Sequence, residues 1–181
     1  MSMWSIVSLL LLSRVPPDGT AQLKKVDALM PELRQLARDP MVVREVKRQN
    51  AQRVPLETIQ KLDAEWSATP ALTPLKRKVL NSTCTRALDR HRNRLGRGVA
   101  EAFIMDNQGA LVGATSRTSD YWQGDETKWR GAFNGGRGGE LREKPFFDES
   151  SQSYVVQVSL PVKDGARVIG ALTVSVSLLE L

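Results

Sequence analysis

The hydrophobic period of this chain changes once, at Gly98. Before it, apolar residues recur at three- and four-residue steps, and after it they alternate with polar ones. That order predicts helices first and an antiparallel sheet second, an α+β architecture. A chain of 181 residues is long enough to bury one proper core, which predicts a single domain. In the first half, Leu23, Val26, Leu29, Met30, Leu33 and Leu36 share one face of a helix over 22–38, across Pro31. Asp39 before Pro40 reads as the N-cap of a second helix, and Pro55 opens a third with Leu56, Ile59, Leu62 and Trp66 on one side. Thr73-Pro74 opens a fourth, basic helix whose apolar side is Leu75, Val79, Thr83, Ala87 and Leu88. Gln49-Asn50 reads as solvated helix surface, and LGRG over 95–98 ends the helical half.

In the second half, the runs 99–106 and 111–116 flank NQGA and read as a hairpin. A strand fits 140–149, where Pro145 points to an edge or a bulge. The runs 154–162 and 168–178 flank the turn Lys163-Asp164-Gly165-Ala166. Together these make five strands. Val156, Val158, Leu160 and Val162 lie on one face of 154–162, with Gln157 and Ser159 on the other. Gln157 and Ser159 are therefore candidates for a binding pocket, because buried polar groups need partners and a bound solute supplies them.

The chemistry available to the chain is narrow. A single cysteine, Cys84, and a single histidine, His91, exclude an internal disulfide, Cys-rich and His-pair metal sites and most histidine relays. No metal or cofactor is expected. His91 sits in RALDRHRNR, which reads as a solvated or helix-lining position. Residues 1–98 carry 18 Lys and Arg against 9 Asp and Glu, whereas residues 99–181 carry 8 against 11, so the basic excess is local. Arg86, Arg90 and Arg94 form one helical stripe with no aromatic residue to stack bases, which reads as a solvated face and not as a nucleic-acid site. GGRGG, residues 135–139, lacks the strand-to-helix context and following Lys of a phosphate loop, and reads as a flexible loop and lid. No catalytic constellation accompanies it.

The N-terminus reads as an export signal over 1–21. Trp4 to Leu12 is mostly apolar but too short for a bilayer, which needs about 20 residues. Gly19 and Ala21 are the small residues of a cleavage site after Ala21. The mature chain, residues 22–181, is then expected to be periplasmic and soluble, with a helical part over 22–98 and a sheet part over 99–181.

The segment TSDYWQGDETKWRGAF, residues 118–133, gathers rings and carboxylates between the second and third strands. Asp120 and Gln123 form a capping-box pattern for a helix beginning at Tyr121. On that helix Trp122, Trp129 and Phe133 share one face, and Tyr121 and Asp125 a neighbouring one. As ligand-binding candidates, Arg117 would grip a carboxylate, Asp120 or Asp125 an ammonium, and Tyr121, Trp122 or Trp129 would box a cation.

The words PMVVREVKRQNA, ETIQKLDAEW, AFIMDNQGALVGATSRTSDYWQGDETKW and QVSLPVKDGARVIGALTVSVSL resemble the bacterial extracytoplasmic PAS-like sensor domains of the Cache or PDC family, over residues 39–181. The resemblance implies a five-stranded antiparallel sheet with a crossing helix, whose concave face holds a small solute of the amino-acid, organic-acid or amine class. The family's amino-acid signature pairs an Arg with a following Trp and Tyr. Arg117, Tyr121 and Trp122 stand here at a different spacing, so that specificity does not carry over. The rival expectation is a ligand-free PAS-like protein that docks on a membrane receptor, since no kinase, methyl-accepting or cyclase segment follows the last strand.

Overall fold

The computed structural model describes residues 20–148 and 152–181. The expected export signal lies outside the described residues except for its last two. Five helices precede the sheet: α1 (Thr20–Ala37), α2 (Pro40–Asn50), α3 (Leu56–Ser67), α4 (Pro74–Leu80) and α5 (Thr83–Leu95). On α1, Val26, Met30, Leu33 and Leu36 are buried at the spacing that one helical face requires. Asp39 caps α2 as expected, its Oδ1 accepting from the Met41 amide at 2.8 Å, with Pro40 in the first turn.

The expected fourth helix is two. Asn81 leaves helical geometry, and its side chain donates to the Arg77 carbonyl at 2.9 Å. Ser82 is extended, and its Oγ accepts from the Thr85 amide at 3.0 Å, starting α5 afresh. Adjacent Asn, Ser and Thr side chains compete with the helical ladder, and together they break it. The buried side of α5 is consequently Cys84, Thr85, Ala87, Leu88 and His91, and Thr83 falls off it.

Of the two roles expected for His91, solvated or helix-lining, the structure shows the second, with the ring buried on the inner side of α5. Its Nε2 lies 2.9 Å from Asp39 Oδ2, and the Arg94 guanidinium lies against the ring, 2.8 Å from Nδ1 and 3.2 Å from Nε2. Asp39 thereby joins the start of α2 to α5. The arginines of the stripe, Arg86, Arg90 and Arg94, are exposed as the solvated-face reading expects.

The sheet comprises β1 (Val99–Met105), β2 (Leu111–Ala114), β3 (Leu141–Arg142), β4 (Phe146–Asp148), β5 (Ser153–Asp164) and β6 (Arg167–Ser177). The order is β2-β1-β6-β5-β3, with β4 also on β5, and every pairing is antiparallel. Six strands replace the five expected because the run 140–149 splits at Pro145, which cannot donate to a ladder. Its two pieces form one interrupted edge along β5. One face of the sheet packs Ala102, Ile104, Val158, Leu160, Leu172 and Val174 under α1, α2 and α5. The other carries Phe103, Met105 and Ala171 under α3 and α6 (Thr127–Phe133).

The crossing helix therefore begins six residues later than the capping pattern suggested. Residues 121–123 are extended: Trp122 bridges Ala110, the Tyr121 carbonyl accepts from the Leu111 amide, and the Gln123 amide donates to Gly109. The amides of Tyr121 and Trp122 both donate to Asp63 Oδ1 on α3, at 2.8 and 2.9 Å. A carboxylate from a distant helix thus holds the backbone where the Asp120 cap was expected to start a helix. Trp122 does not share a helix face with Trp129, and Tyr121 and Asp125 are not helical neighbours.

Gln49 and Asn50 are not plain solvated surface either. Gln49 donates to Asp106 and to the Leu111 carbonyl, and Asn50 donates to the Ile169 carbonyl while accepting from the Asn107 amide. These contacts clamp the end of α2 on the β1–β2 turn.

Candidate functional site

The face of the sheet beneath α6 has an unusual lining. Register places Gln157 opposite Ser175 and Ser159 opposite Thr173 on β5 and β6. It also places Glu101 and Phe103 of β1 beside Ser175 and Thr173. Two rungs result, Gln157-Ser175-Glu101 and Ser159-Thr173-Phe103. Ser159, Thr173 and Ser175 are 0% exposed, where β-branched apolar residues would ordinarily pack. The side chains satisfy one another pairwise: Gln157 Nε2 donates to Ser175 Oγ at 3.2 Å, Ser159 and Thr173 share a bond of 2.9 Å, and Ser153 and Ser177 another of 2.9 Å. Each hydroxyl oxygen has two lone pairs, so one such bond leaves accepting capacity in hand.

Charged groups flank these rungs, Glu101 on β1 and Asp148 on β4 beyond β5. Ser116 donates to Glu101 Oε1 at 2.7 Å. Burial pushes the Glu101 carboxyl above its ordinary range; the Ser116 bond opposes this, the neighbouring charge of Asp148 adds to it, and Lys128 opposes it. Lys128, on α6, holds its ammonium 5.5 Å from the centroid of the Phe103 ring. Two carboxylates and one ammonium therefore stand within electrostatic reach beside a polar floor. Such a set matches a small solute carrying both an amine and an acid.

A pH dependence follows. In the interval between the unfolded and the raised folded pKa of Glu101, the native state binds more protons than the unfolded chain. Stability accordingly falls as pH rises upward from about 4.5 through the folded value. Urea unfolding at a series of pH values should show that decline, and Glu101→Gln should flatten it. A slope unchanged by the substitution would mean that another carboxyl carries it.

The sequence-derived candidates are dispersed. Gln157 and Ser159 lie in the rungs. Trp129 stacks on Phe133 with centroids 4.9 Å apart, and its Nε1 donates to the Asp106 carbonyl at 3.0 Å. Trp122 Nε1 donates to the Gln108 carbonyl at 2.7 Å, so both indoles fasten the β1–β2 turn. Asp120 accepts from Ser119 at 2.6 Å and from Ser67 at 3.4 Å, tying its loop to α3 instead of capping a helix. Arg117 is exposed and lies toward Lys76, whose ammonium pKa is lowered by burial and then by Arg117. Asp125 is exposed in the turn before α6. Tyr121 is buried against Trp66, with ring centroids 5.8 Å apart, at the β2 side of the sheet. GGRGG wraps the end of α6, the Gly138 and Gly139 amides donating to the Phe133 and Ala132 carbonyls.

Sequence reasoning missed Glu101, Lys128, Thr173, Ser175 and Ser177. The last three carry the same alternation that exposed Gln157 and Ser159, and Glu101 is a lone carboxylate inside an apolar strand run. Nothing in the local sequence marks Lys128.

No protein-family model and no curated protein matches this chain. Solved structures similar to it include the ligand-binding domain of a Campylobacter jejuni chemoreceptor in complex with 4-methylisoleucine, at 14% identity and a TM-score of 0.42 over 87% of this chain and 56% of that one. The V. cholerae histidine kinase DctB sensor domain matches at 12% identity and 0.45, over 88% and 54%. The ligand-binding domain of the Pseudomonas aeruginosa amino-acid chemoreceptor PctC in complex with GABA matches at 16% and 0.43, over 67% and 53%. All three are ligand-binding or sensor domains. The chain spans little more than half the length of each. No helix among the described residues is long and apolar enough to cross a membrane.

Proposed function

We propose that this protein is a non-catalytic sensor module that binds a small solute on the sheet face beneath α6, and that it works outside the cytoplasm. The observation that carries the reading is the pair of polar rungs, buried on the sheet face beneath α6 and flanked by Glu101, Lys128 and Asp148. The rung side chains already bond one another, and each hydroxyl keeps accepting capacity that a polar ligand can use. The mixed charge favours an amino acid or a related amine-bearing acid. Lys128 takes the ligand carboxylate, Glu101 the ammonium, and Gln157, Ser159, Thr173 and Ser175 the remaining polar atoms. The apolar run over 4–12 and the small residues Gly19 and Ala21 support export.

A thermal-shift screen of amino acids, amines and organic acids tests this, beginning with aliphatic amino acids and GABA. A ligand at a hundredfold excess over its dissociation constant stabilises the fold by about 2.7 kcal/mol. Lys128→Ala and Glu101→Gln should each weaken a hit about tenfold or more, as expected for loss of a charge-assisted bond. A folded chain silent to the whole panel would defeat the reading. The second reading, a partner-binding protein without a ligand, is favoured by one observation: Phe147 and Tyr154 are 47% and 48% exposed and stack edge-on at the β4–β5 edge.

A further inference from the structure

At the opposite side of the sheet, α4, the first turn of α5 and the β2 edge enclose a cavity of about 280 Å³. Its lining contains Arg48, Lys78 and Arg86 and no Asp or Glu. Arg48 is partly neutralised by Glu45, 2.6 Å away outside the lining. Arg86 donates to the Asn81 carbonyl and to Thr83 Oγ1, both at 2.9 Å, so its guanidinium is held by neutral groups and has no ion pair among the described residues. Ser82 and Thr83, which begin the 13-residue α5, border the same space. The positive end of the helix dipole and amides without intrahelical partners are found at such a terminus. Gly113 permits this placement: a Cβ there would stand 2.8 Å from the Thr85 amide nitrogen and 2.9 Å from Ser82 Oγ.

Tyr121 supplies the independent observation. It lines the cavity, is only 7% exposed, and its hydroxyl has no hydrogen-bond partner among the described residues. The ring is buried while the hydroxyl itself remains accessible, as a group facing an open cavity does. Burial, with a smaller contribution from Asp106, pushes its pKa up to about 12, so it remains a proton donor at neutral pH.

We propose that this cavity is an oxyanion site for a phosphate or phosphate-monoester group, held by Lys78, Arg86, the Tyr121 hydroxyl and the first turn of α5. A dianion matches these two cations, and helix N-termini with basic side chains are recurrent phosphate sites. The site lies at the β2 edge, away from the rungs on β5 and β6, and is independent of the solute site proposed there.

Calorimetric titration of the purified chain with inorganic phosphate and with glycerol phosphate, at constant ionic strength, tests the assignment. Saturable binding is expected. Tyr121→Phe removes only an unpaired hydroxyl, so the fold should survive while affinity falls about tenfold. Lys78→Ala should weaken binding to a similar degree, and Arg97→Ala, in the turn that follows the far end of α5, should not. Tighter binding of glycerol phosphate supports an ester as the ligand. Absence of saturable binding overturns the proposal. So does binding that Arg97→Ala weakens as much as Lys78→Ala, which would indicate diffuse attraction to the basic half.

Discussion

Trp66→Ala should destabilise the protein by about 3–5 kcal/mol, the range for removal of a fully buried indole. Trp66 is 0% exposed and heads the largest buried side chains. Three attachments meet on it: its ring lies against Tyr121, the Lys76 ammonium sits 5.7 Å from its centroid, and its Nε1 donates to the Thr118 carbonyl at 3.0 Å. Lys76 in turn donates to the Thr69 and Ala71 carbonyls, so the α3–α4 connection closes over the same ring. Apart from Trp66, α3 is held by Ile59, Leu62, the Asp63 carboxylate and the Ser67 hydroxyl. Trp66→Phe should cost less, about 1–3 kcal/mol, for lost volume and an unpaired carbonyl. Urea unfolding of both variants reads the two contributions separately. A cost below about 1 kcal/mol for the alanine variant would show that α3 packs loosely and does not order the 118–123 segment.

The helical face of α1 and the alternation of β5 were legible because burial on one side imposes a period, and a period survives in sequence. The same alternation places Gln157 and Ser159 on the polar face. The start of α6 was not legible. Asp120 and Gln123 make a plausible local cap, and what displaced it was Asp63, 58 residues earlier than Tyr121. The break at Asn81-Ser82 had a local signal, three consecutive side chains able to bond their own backbone, which the apolar spacing of Leu75, Val79 and Thr83 outweighed. Glu101, Lys128 and Asp148 come from β1, α6 and β4. Their proximity depends on tertiary packing, and no spacing in the chain encodes it.

Asp106→Ala is expected to cost about 3–4 kcal/mol, because several buried donors lose one acceptor together. Asp106 is 3% exposed, and its Oδ1 accepts from the Gln108 and Ala110 amides at 2.8 and 3.0 Å, setting the turn in which Gly109 adopts φ +90°. Its Oδ2 accepts from Gln49 at 2.9 Å, joining α2 to the turn. Burial raises its pKa despite these bonds, so the ionised carboxylate is held at a cost. Asp106→Asn keeps the oxygen that accepts both amides and sheds the buried charge, but Gln49 must turn its amide over and give up its longer bond to the Leu111 carbonyl. Its cost should therefore stay below about 1.5 kcal/mol. The same turn receives the Trp129 and Trp122 indole N–H groups, at the Asp106 and Gln108 carbonyls. Collapse of the turn would then loosen α6, and with it the roof over the polar rungs. Hydrogen exchange of the α6 amides checks that coupling: faster exchange in Asp106→Ala than in Asp106→Asn supports it. Equal exchange in the two variants would mean that α6 is held by the sheet alone.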